Sequence, residues 1–158
     1  AAALVVAIGR GVALLRTAMT PHDVAMEAVV DGHVRSLMAN HLFDVQSTDL
    51  HTVKPWFDGK LDFSPPVVDL APGGFPLVGG RLDYVGGRPV AALVYQRQKH
   101  SINVFVSPAG GDPSTGNVVL TVRGFNVRHW IHNGMSFCAV SDLNSAELGE
   151  FATALQAS

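Results

Sequence analysis

The sequence is poor in cysteine and in charge. Cys138 is the only cysteine, so an internal disulfide and a Cys-x-x-Cys metal motif are both excluded. Charged residues make up 15% of the 158 residues, the formal net charge is −2, and no basic run occurs. A nucleic-acid-binding surface is therefore not expected. The phosphate-loop pattern GxxxxGK[ST] is also missing, and no cofactor is predicted.

A long apolar run is missing as well. The run Ala1–Ile8 is broken by Arg10, and Arg16 follows, whereas a membrane-spanning helix needs about 20 apolar residues. The run also lacks the charged start and the cleavage site of a signal peptide. The pattern leaves two interpretations of residues 1–18: the end of a truncated membrane-proximal helix, or an amphipathic helix at the edge of the domain. Residues 19–158 form a single domain, with 47% apolar residues in the chain for its core.

A first helix is predicted from Thr20 to Phe43. Thr20 is a suitable N-cap, Pro21 fits the first helical position, and Asp23 lies in the first turn. Apolar residues then recur at intervals of three and four. One stripe of this helix is predicted to be half-buried at an interface; it comprises His33, Leu37 and His41.

The middle of the sequence is rich in strand signals, separated by tight turns at Gly86-Gly87 and Asn133-Gly134. Candidate strands are Val67–Leu70, Phe75–Tyr84, Pro89–Arg97, Ser101–Ser107, Val118–Arg123, Asn126–His132 and Met135–Ser141. A last helix follows, with Asn144 as N-cap and Glu147 closing a capping box. We therefore predict an α+β fold: an antiparallel sheet of about five to six strands, with an N-terminal helical region and a C-terminal helix packed on it.

Catalytic and metal-binding patterns are weak. Cys138 lies in the apolar stretch FCAV, which indicates a core position. A small hydrolase using Cys138 or Ser136 is one alternative to a non-enzymatic protein. Another is a metal- or small-molecule-binding protein that uses scattered histidines. The candidate ligands are His33, His41, His51, His100, His129 and His132.

The segment HTVKPWFDGKLDFSPP, residues 51–66, concentrates aromatic, charged and proline residues. Its polar groups form no convergent set, so we interpret it as a structural segment anchored by its aromatic side chains.

Three stretches together resemble a known family. They are GHVRSLMANHLFDVQSTDLHTVKPWFDGKLDFSPPVVDL, GFPLVGGRLDYVGGRPVAALVYQRQKHSINVFV and GMSFCAVSDLNSAELGEFATAL. They are similar to the extracytoplasmic part of bacterial membrane-anchored anti-sigma factors, which are single-span transmembrane transcriptional regulators. The resemblance covers residues 29–155, and the blocks HTVKPWF and GFPLVGGRLDY are its most distinctive parts.

The resemblance implies a non-enzymatic periplasmic sensor domain, anchored in the inner membrane by a span that precedes it. A cytoplasmic part outside this sequence would bind an extracytoplasmic-function sigma factor until an envelope signal releases it. The resemblance favours the membrane-proximal interpretation of residues 1–18. It implies no catalytic, cofactor or metal residues. Independently of the resemblance, the apolar composition and an N-terminal helical region too long for a small sheet to cover predict self-association or contact with another envelope protein.

Overall fold

The computed structural model describes residues 21–38, 40–110 and 116–158. The helices are α1 (Pro21–Ser36), α2 (Leu50–Trp56) and α3 (Ser145–Gln156). The strands are β1 (Val45–Gln46), β2 (Leu77–Val85), β3 (Arg88–Arg97), β4 (His100–Pro108), β5 (Val118–Val122), β6 (Phe125–His132) and β7 (Met135–Ser141). They form one sheet in the order β1-β2-β3-β4-β7-β6-β5, and all neighbouring strands are antiparallel. The predicted α+β class with an antiparallel sheet is confirmed.

The sheet has seven strands within the described residues, so the prediction of five to six was too low. The predicted strand Val67–Leu70 is not formed, because only Leu70 bridges Phe75 there. The sequence analysis missed β1, which is too short to show an alternating pattern. This strand forms because Gly79 lets the chain approach closely: a side chain at Gly79 would collide with the carbonyl oxygen of Val45.

The predicted tight turns are confirmed. Gly86 and Gly87 join β2 to β3 with φ angles of 61° and 81°, and Asn133 and Gly134 join β6 to β7 with 48° and 74°. Two consecutive positive φ angles match the twist of paired strands, and glycine and asparagine adopt them at little cost. These turns set the register of both hairpins.

Helix α1 ends at Ser36, seven residues before the predicted end at Phe43. The apolar periodicity continues through Leu37 and Met38, but their side chains are 52% and 61% exposed and support no further helix packing. Asn40 then adopts a left-handed φ of 62°, and the chain turns back toward β2. The predicted N-cap Thr20 and residues 1–18 lie outside the described part of the chain.

Helices cover both faces of the sheet. We call the side packed against α1 the α1 face, and the side packed against α2, α3 and the segment 57–76 the α3 face. Side chains of β3 alternate between the two: Ala92 points to the α1 face, whereas Leu93 points to the α3 face. Coverage on both sides explains why this strand is apolar without alternation.

The α3 helix forms as predicted. The Asn144 side chain accepts a hydrogen bond from the Glu147 amide at 2.9 Å, and the two side chains also contact each other. The predicted apolar face is the buried one; it comprises Leu148, Phe151, Ala152 and Leu155.

The HTVKPWF segment forms α2, which Asp49 caps by accepting a hydrogen bond from the His51 amide at 2.9 Å. Val53 and Phe57 are fully buried in the core of the α3 face. Lys60 lies over the ring of Trp56. The aromatic residues of this segment therefore anchor it to the sheet. In the described residues, no helix has the length and apolar character needed to cross a bilayer.

A buried polar cluster beneath helix α1 as the candidate functional site

The α1 face of the sheet carries a group of buried polar side chains where α1 crosses β2 and β4. We call it the polar cluster; it comprises His33 and Ser36 of α1, Arg81 and Asp83 of β2, and Asn103 of β4. Asn103 is fully buried, and His33 and Ser36 are each 1% exposed. Burial of polar groups is favourable only if their hydrogen bonds are satisfied, so the contacts within this cluster decide how firmly α1 is held.

Arg81 is the centre of the cluster. Its Nη1 donates to Asn103 Oδ1 at 2.7 Å and to the Leu42 carbonyl oxygen at 3.1 Å. Its Nε and Nη2 donate to Asp83 Oδ2 at 3.2 and 3.0 Å. Arg35 of α1 donates to the other oxygen of Asp83 at 3.0 Å. The charge of Arg81 is thus balanced beside it, and Asp83 links β2 to α1.

The hydrogen bonds of the cluster fix the direction of each proton. Arginine only donates, so the Asn103 carbonyl oxygen must face Arg81 and its amide nitrogen must face α1. That nitrogen donates to Ser36 Oγ at 2.9 Å and lies 2.5 Å from His33 Nδ1. Ser36 Oγ in turn donates to the His33 carbonyl oxygen at 2.7 Å. His33 Nδ1 is therefore the acceptor, and the ring carries its proton on Nε2.

The Nε2 atom of His33 destabilises the polar cluster. It is buried and has no hydrogen-bond partner within the described ranges. The ring lies edge-on to Phe125, with centroids 5.0 Å apart and planes at 73°. A buried N–H group without a partner costs about 1–3 kcal/mol. The cluster thus holds α1 on the sheet at a cost to stability.

Burial lowers the pKa of His33 to about 4; the nearby charge of Asp142 opposes this shift and that of Arg81 adds to it. A second proton would go on Nδ1, directly opposite the amide hydrogens of Asn103. The amide cannot rotate to offer its oxygen, because Arg81 holds that oxygen. The cluster therefore favours neutral His33, and the folded chain takes up the imidazolium proton only near pH 4.

A small cleft opens beside the cluster. It has a volume of about 130 Å³ and is lined by Gly32, Arg35, Ser36, His41, Asp44, Arg81, Leu82 and Asp83. Asp44 is oriented by the Leu82 amide, which donates to its Oδ2 at 3.0 Å. Two guanidinium groups and two carboxylates meet at this cleft, so its chemistry suits water or a small polar molecule.

The structure does not bring the predicted histidine ligands together. His33 is buried in the cluster, and His41 is exposed at the cleft. Leu37 is exposed as well, so the prediction that His33, Leu37 and His41 form a half-buried stripe was wrong. The other candidates are separate: His51 lies in the first turn of α2, His100 lies 2.9 Å from Asp142, His129 contacts Ser136, and His132 contacts Asn133. Across the described ranges, no group of three or more His, Cys, Asp or Glu side chains could hold a metal ion.

The two candidate nucleophiles differ in their surroundings. Cys138 is buried on the α1 face, and burial raises the pKa of its thiol to about 12, so the thiolate is not accessible at neutral pH. Ser136 Oγ lies 2.8 Å from His129 Nε2, while His129 Nδ1 lies 3.3 Å from the Gly116 carbonyl oxygen. A serine–histidine contact is the first geometric requirement of an activated serine, and here it also provides a partner for a buried imidazole.

Sequence reasoning found His33 but missed the rest of the polar cluster. Arg81 and Asp83 interrupt an otherwise apolar strand, and Asn103 interrupts SINVFVS, which is the signal that could have found them. The contact between His129 and Ser136 follows from the Asn133-Gly134 hairpin, whose register places them diagonally on one face.

No protein-family model matches the sequence, and no curated protein matches it significantly.

Proposed function

We propose that this chain is the periplasmic sensor domain of a membrane-anchored bacterial anti-sigma factor, with no enzymatic role of its own. The sequence resemblance over residues 29–155 supports the family. The observation that carries the mechanism is the polar cluster, which holds α1 on the sheet in a single protonation state. In this proposal α1 relays the state of the domain to a membrane span at or before residues 1–18. A cytoplasmic part outside this chain binds the sigma factor.

Release of α1 from the sheet is the proposed signalling step. Among the described side chains of α1, the buried apolar residues that pack on the sheet are Met26, Val29 and Val30, with Ala25 partly buried beside them. Each of the three buried residues contributes roughly 1.5–3 kcal/mol. Loss of the cluster, at about 1–3 kcal/mol for each buried group left unpaired, is of the same size. Disruption of the cluster is therefore large enough to free α1, whereas the core of the α3 face stays folded.

Cys138 is a natural probe for this step, because it packs in the same apolar group as Val30 on the α1 face. We expect the variant Asn103→Ala to react faster with a thiol reagent at Cys138 than the parent chain does, because α1 opens more often. The matched control is a cysteine on the opposite face, obtained with Ala139→Cys in a Cys138→Ala background. Its labelling should not change when Asn103→Ala is added. Equal acceleration of both thiols would mean global unfolding and would contradict the release of α1.

The assignment to the family has its own test in the coding sequence upstream of Ala1. We expect a stretch of about 20 apolar residues there, preceded by a small cytoplasmic domain. In cells, Ala28→Pro should disrupt α1 and uncouple the sigma-dependent transcript from the envelope signal while the sheet stays folded. A start codon and a signal peptide directly upstream, or normal signalling by Ala28→Pro, would each argue against this function.

The cleft supports a second candidate function, the binding of a small polar ligand; a metal ion there would need a further ligand beyond His41 and Asp44, because no three such side chains meet in the described ranges. Arg35, His41 and Asp44 are exposed at its rim and are available to such a ligand. A ligand that binds only the folded state raises the melting temperature by mass action. Thermal shift with Zn²⁺, Cu²⁺ and Ni²⁺ tests the metal form of this candidate. A shift in melting temperature that disappears in His41→Ala but persists in His132→Ala would favour a metal ion at the cleft. The absence of a shift with all three ions would remove the metal form of this candidate.

A further inference from the structure

Strand β5 forms one end of the sheet. It pairs with β6 on its inner side, and in the described part of the chain no strand pairs with its outer side. A strand at the edge of a sheet presents unpaired backbone N–H and C=O groups to its surroundings. This edge is therefore a place where another extended segment can bind.

The register of the β5–β6 hairpin shows which backbone groups point outward. Arg123 and Gly124 form a two-residue turn, with φ angles of 50° and 86°, and Val122 pairs with Phe125 beside it. In such a hairpin the pair next to the turn is hydrogen-bonded, and the pattern then alternates. Val118, Leu120 and Val122 therefore bond to β6. The backbone groups of Val119 and Thr121 point away from the sheet.

The edge lacks the features by which proteins usually protect an edge strand. The sequence VVLTV contains no charge and no proline, and the Val119 side chain is 56% exposed. The adjacent charge of Arg123 is turned toward α1, where its guanidinium pairs with Glu27 at 3.4 Å and with Asp31 at 2.5 Å. The opposite end of the sheet is different, since β1 is only two residues long.

We propose that the β5 edge binds the β5 edge of a second copy of this chain in an antiparallel pair. The sequence is self-complementary in this arrangement. With Leu120 on the two-fold axis opposite its own copy, Val119 lies opposite Thr121 of the second copy, so the outward N–H and C=O groups of both strands meet. Val118 then lies opposite Val122 of the second copy, and no charge faces a like charge.

The choice of a second copy follows from this match in backbone register and side-chain polarity. On the α1 face, Val118, Leu120 and Val122 of both copies would form one continuous apolar row. Five residues from each chain bury less area than a standard interface of about 1,600 Å², so the pair is expected to be weak and to form at high local concentration. The inference does not depend on the proposed sensor function.

Disulfide trapping tests the register directly. In a Cys138→Ala background, Leu120→Cys places two thiols opposite each other at a non-hydrogen-bonded position, where Cα atoms are about 4.5 Å apart. Val119→Cys places the two cysteines diagonally, with Cα atoms about 7–8 Å apart, which is beyond the Cα separation of a favourable disulfide. We expect a covalent dimer from Leu120→Cys under mild oxidation and much less from Val119→Cys. Equal yields, or more dimer from Val119→Cys, would overturn the register.

Sedimentation of the 158-residue chain tests the edge itself. Val119→Pro removes an outward N–H group and leaves the β5–β6 bonds intact, because that N–H does not point to β6. We expect it to weaken dimerisation at least about tenfold, whereas Val119→Thr, which keeps the N–H group, should have a smaller effect. A chain that stays monomeric at high concentration, or a dimer that Val119→Pro leaves unchanged, would overturn the proposal. Far-UV circular dichroism checks that both variants are folded.

Discussion

The two faces of the sheet are held by different forces. On the α3 face, the rings of Phe75, Tyr95 and Phe151 pack edge-to-face with centroids 5.2–5.3 Å apart, and α2 and α3 both contribute fully buried side chains. On the α1 face a smaller apolar group lies beside the polar cluster, and His33 Nε2 lacks a hydrogen-bond partner in the described ranges. Apolar packing is insensitive to pH, whereas a network with fixed proton directions is not. The comparison therefore separates a face that sets global stability from a face whose attachment depends on conditions.

The largest expected effect lies on the α3 face. Phe151→Ala removes a fully buried ring that contacts both Phe75 and Tyr95, and we expect a loss of about 3–5 kcal/mol in the free energy of unfolding. Urea denaturation followed by circular dichroism measures it. The exposed neighbour Glu150→Ala is the control and should change stability by less than about 0.5 kcal/mol. A loss below about 1 kcal/mol in Phe151→Ala would show that the α3 face does not dominate the core.

The next effect lies in the polar cluster. Arg81→Met leaves Asn103 Oδ1 and the Leu42 carbonyl oxygen without their donor, and we expect a loss of about 3 kcal/mol. The double variant Arg81→Met/Asn103→Leu removes the orphaned amide as well. Because the two residues share one network, its loss should be clearly smaller than the sum of the two single losses. Additive losses in urea denaturation would mean that the cluster does not act as a unit.

The features that were predicted correctly from the sequence are those set by neighbouring residues. The α3 helix, its Asn144 cap and its apolar face follow from local spacing, and the tight turns follow from glycine and asparagine. These features depend on residues close in the sequence. The prediction of an antiparallel α+β fold therefore held, although β1 was missed and the Val67–Leu70 segment was wrongly assigned as a strand.

The polar cluster could not be predicted in the same way. Its hydrogen bonds join residues that are far apart in sequence; His33 and Asn103 are separated by 70 positions. A single polar residue in a strand indicates only that a partner exists, and the partner is set by the strand order and by where α1 crosses the sheet. The overlong prediction of α1 has a related cause, since exposed Leu37 and Met38 continue the helical period without packing on the sheet.

A pH titration distinguishes the two faces by the protonation of His33, and the loss of stability expected from it is smaller. His33 has a folded-state pKa of about 4, below its ordinary value of 6.5, so the unfolded chain takes up this proton first as the pH falls. Its contribution to stability is therefore complete above about pH 6.5 and is lost as the pH falls toward 4. Between pH 7 and pH 5 we expect a loss of about 2 kcal/mol from this residue.

Urea denaturation of the parent chain and of His33→Gln at the two pH values isolates that loss. The charged groups that act on His33 are Asp142 and Arg81, and both remain in the variant. The control His41→Gln changes an exposed ring and should keep the pH dependence of the parent chain. The ratio of the labelling rate of Cys138 to that of the Ala139→Cys control should also rise from pH 7 to pH 5, if His33 acts through α1; the ratio is compared because acid lowers the thiolate fraction of both cysteines. An unchanged pH dependence in His33→Gln would contradict the role of the cluster.

The smallest expected effect is at the cap of α3. Asn144→Ala removes the acceptor for the Glu147 amide, and we expect a loss of about 1 kcal/mol, whereas Asn144→Ser, which keeps a capping oxygen, should lose less. The position tests whether the two faces are separate, because the cap belongs to α3, which packs on the opposite face of the sheet from α1. Stability should fall in urea denaturation while the pH dependence attributed to His33 stays the same. If Asn144→Ala altered that pH dependence, the two faces would be coupled, and α1 could not be released while the rest of the domain stays folded.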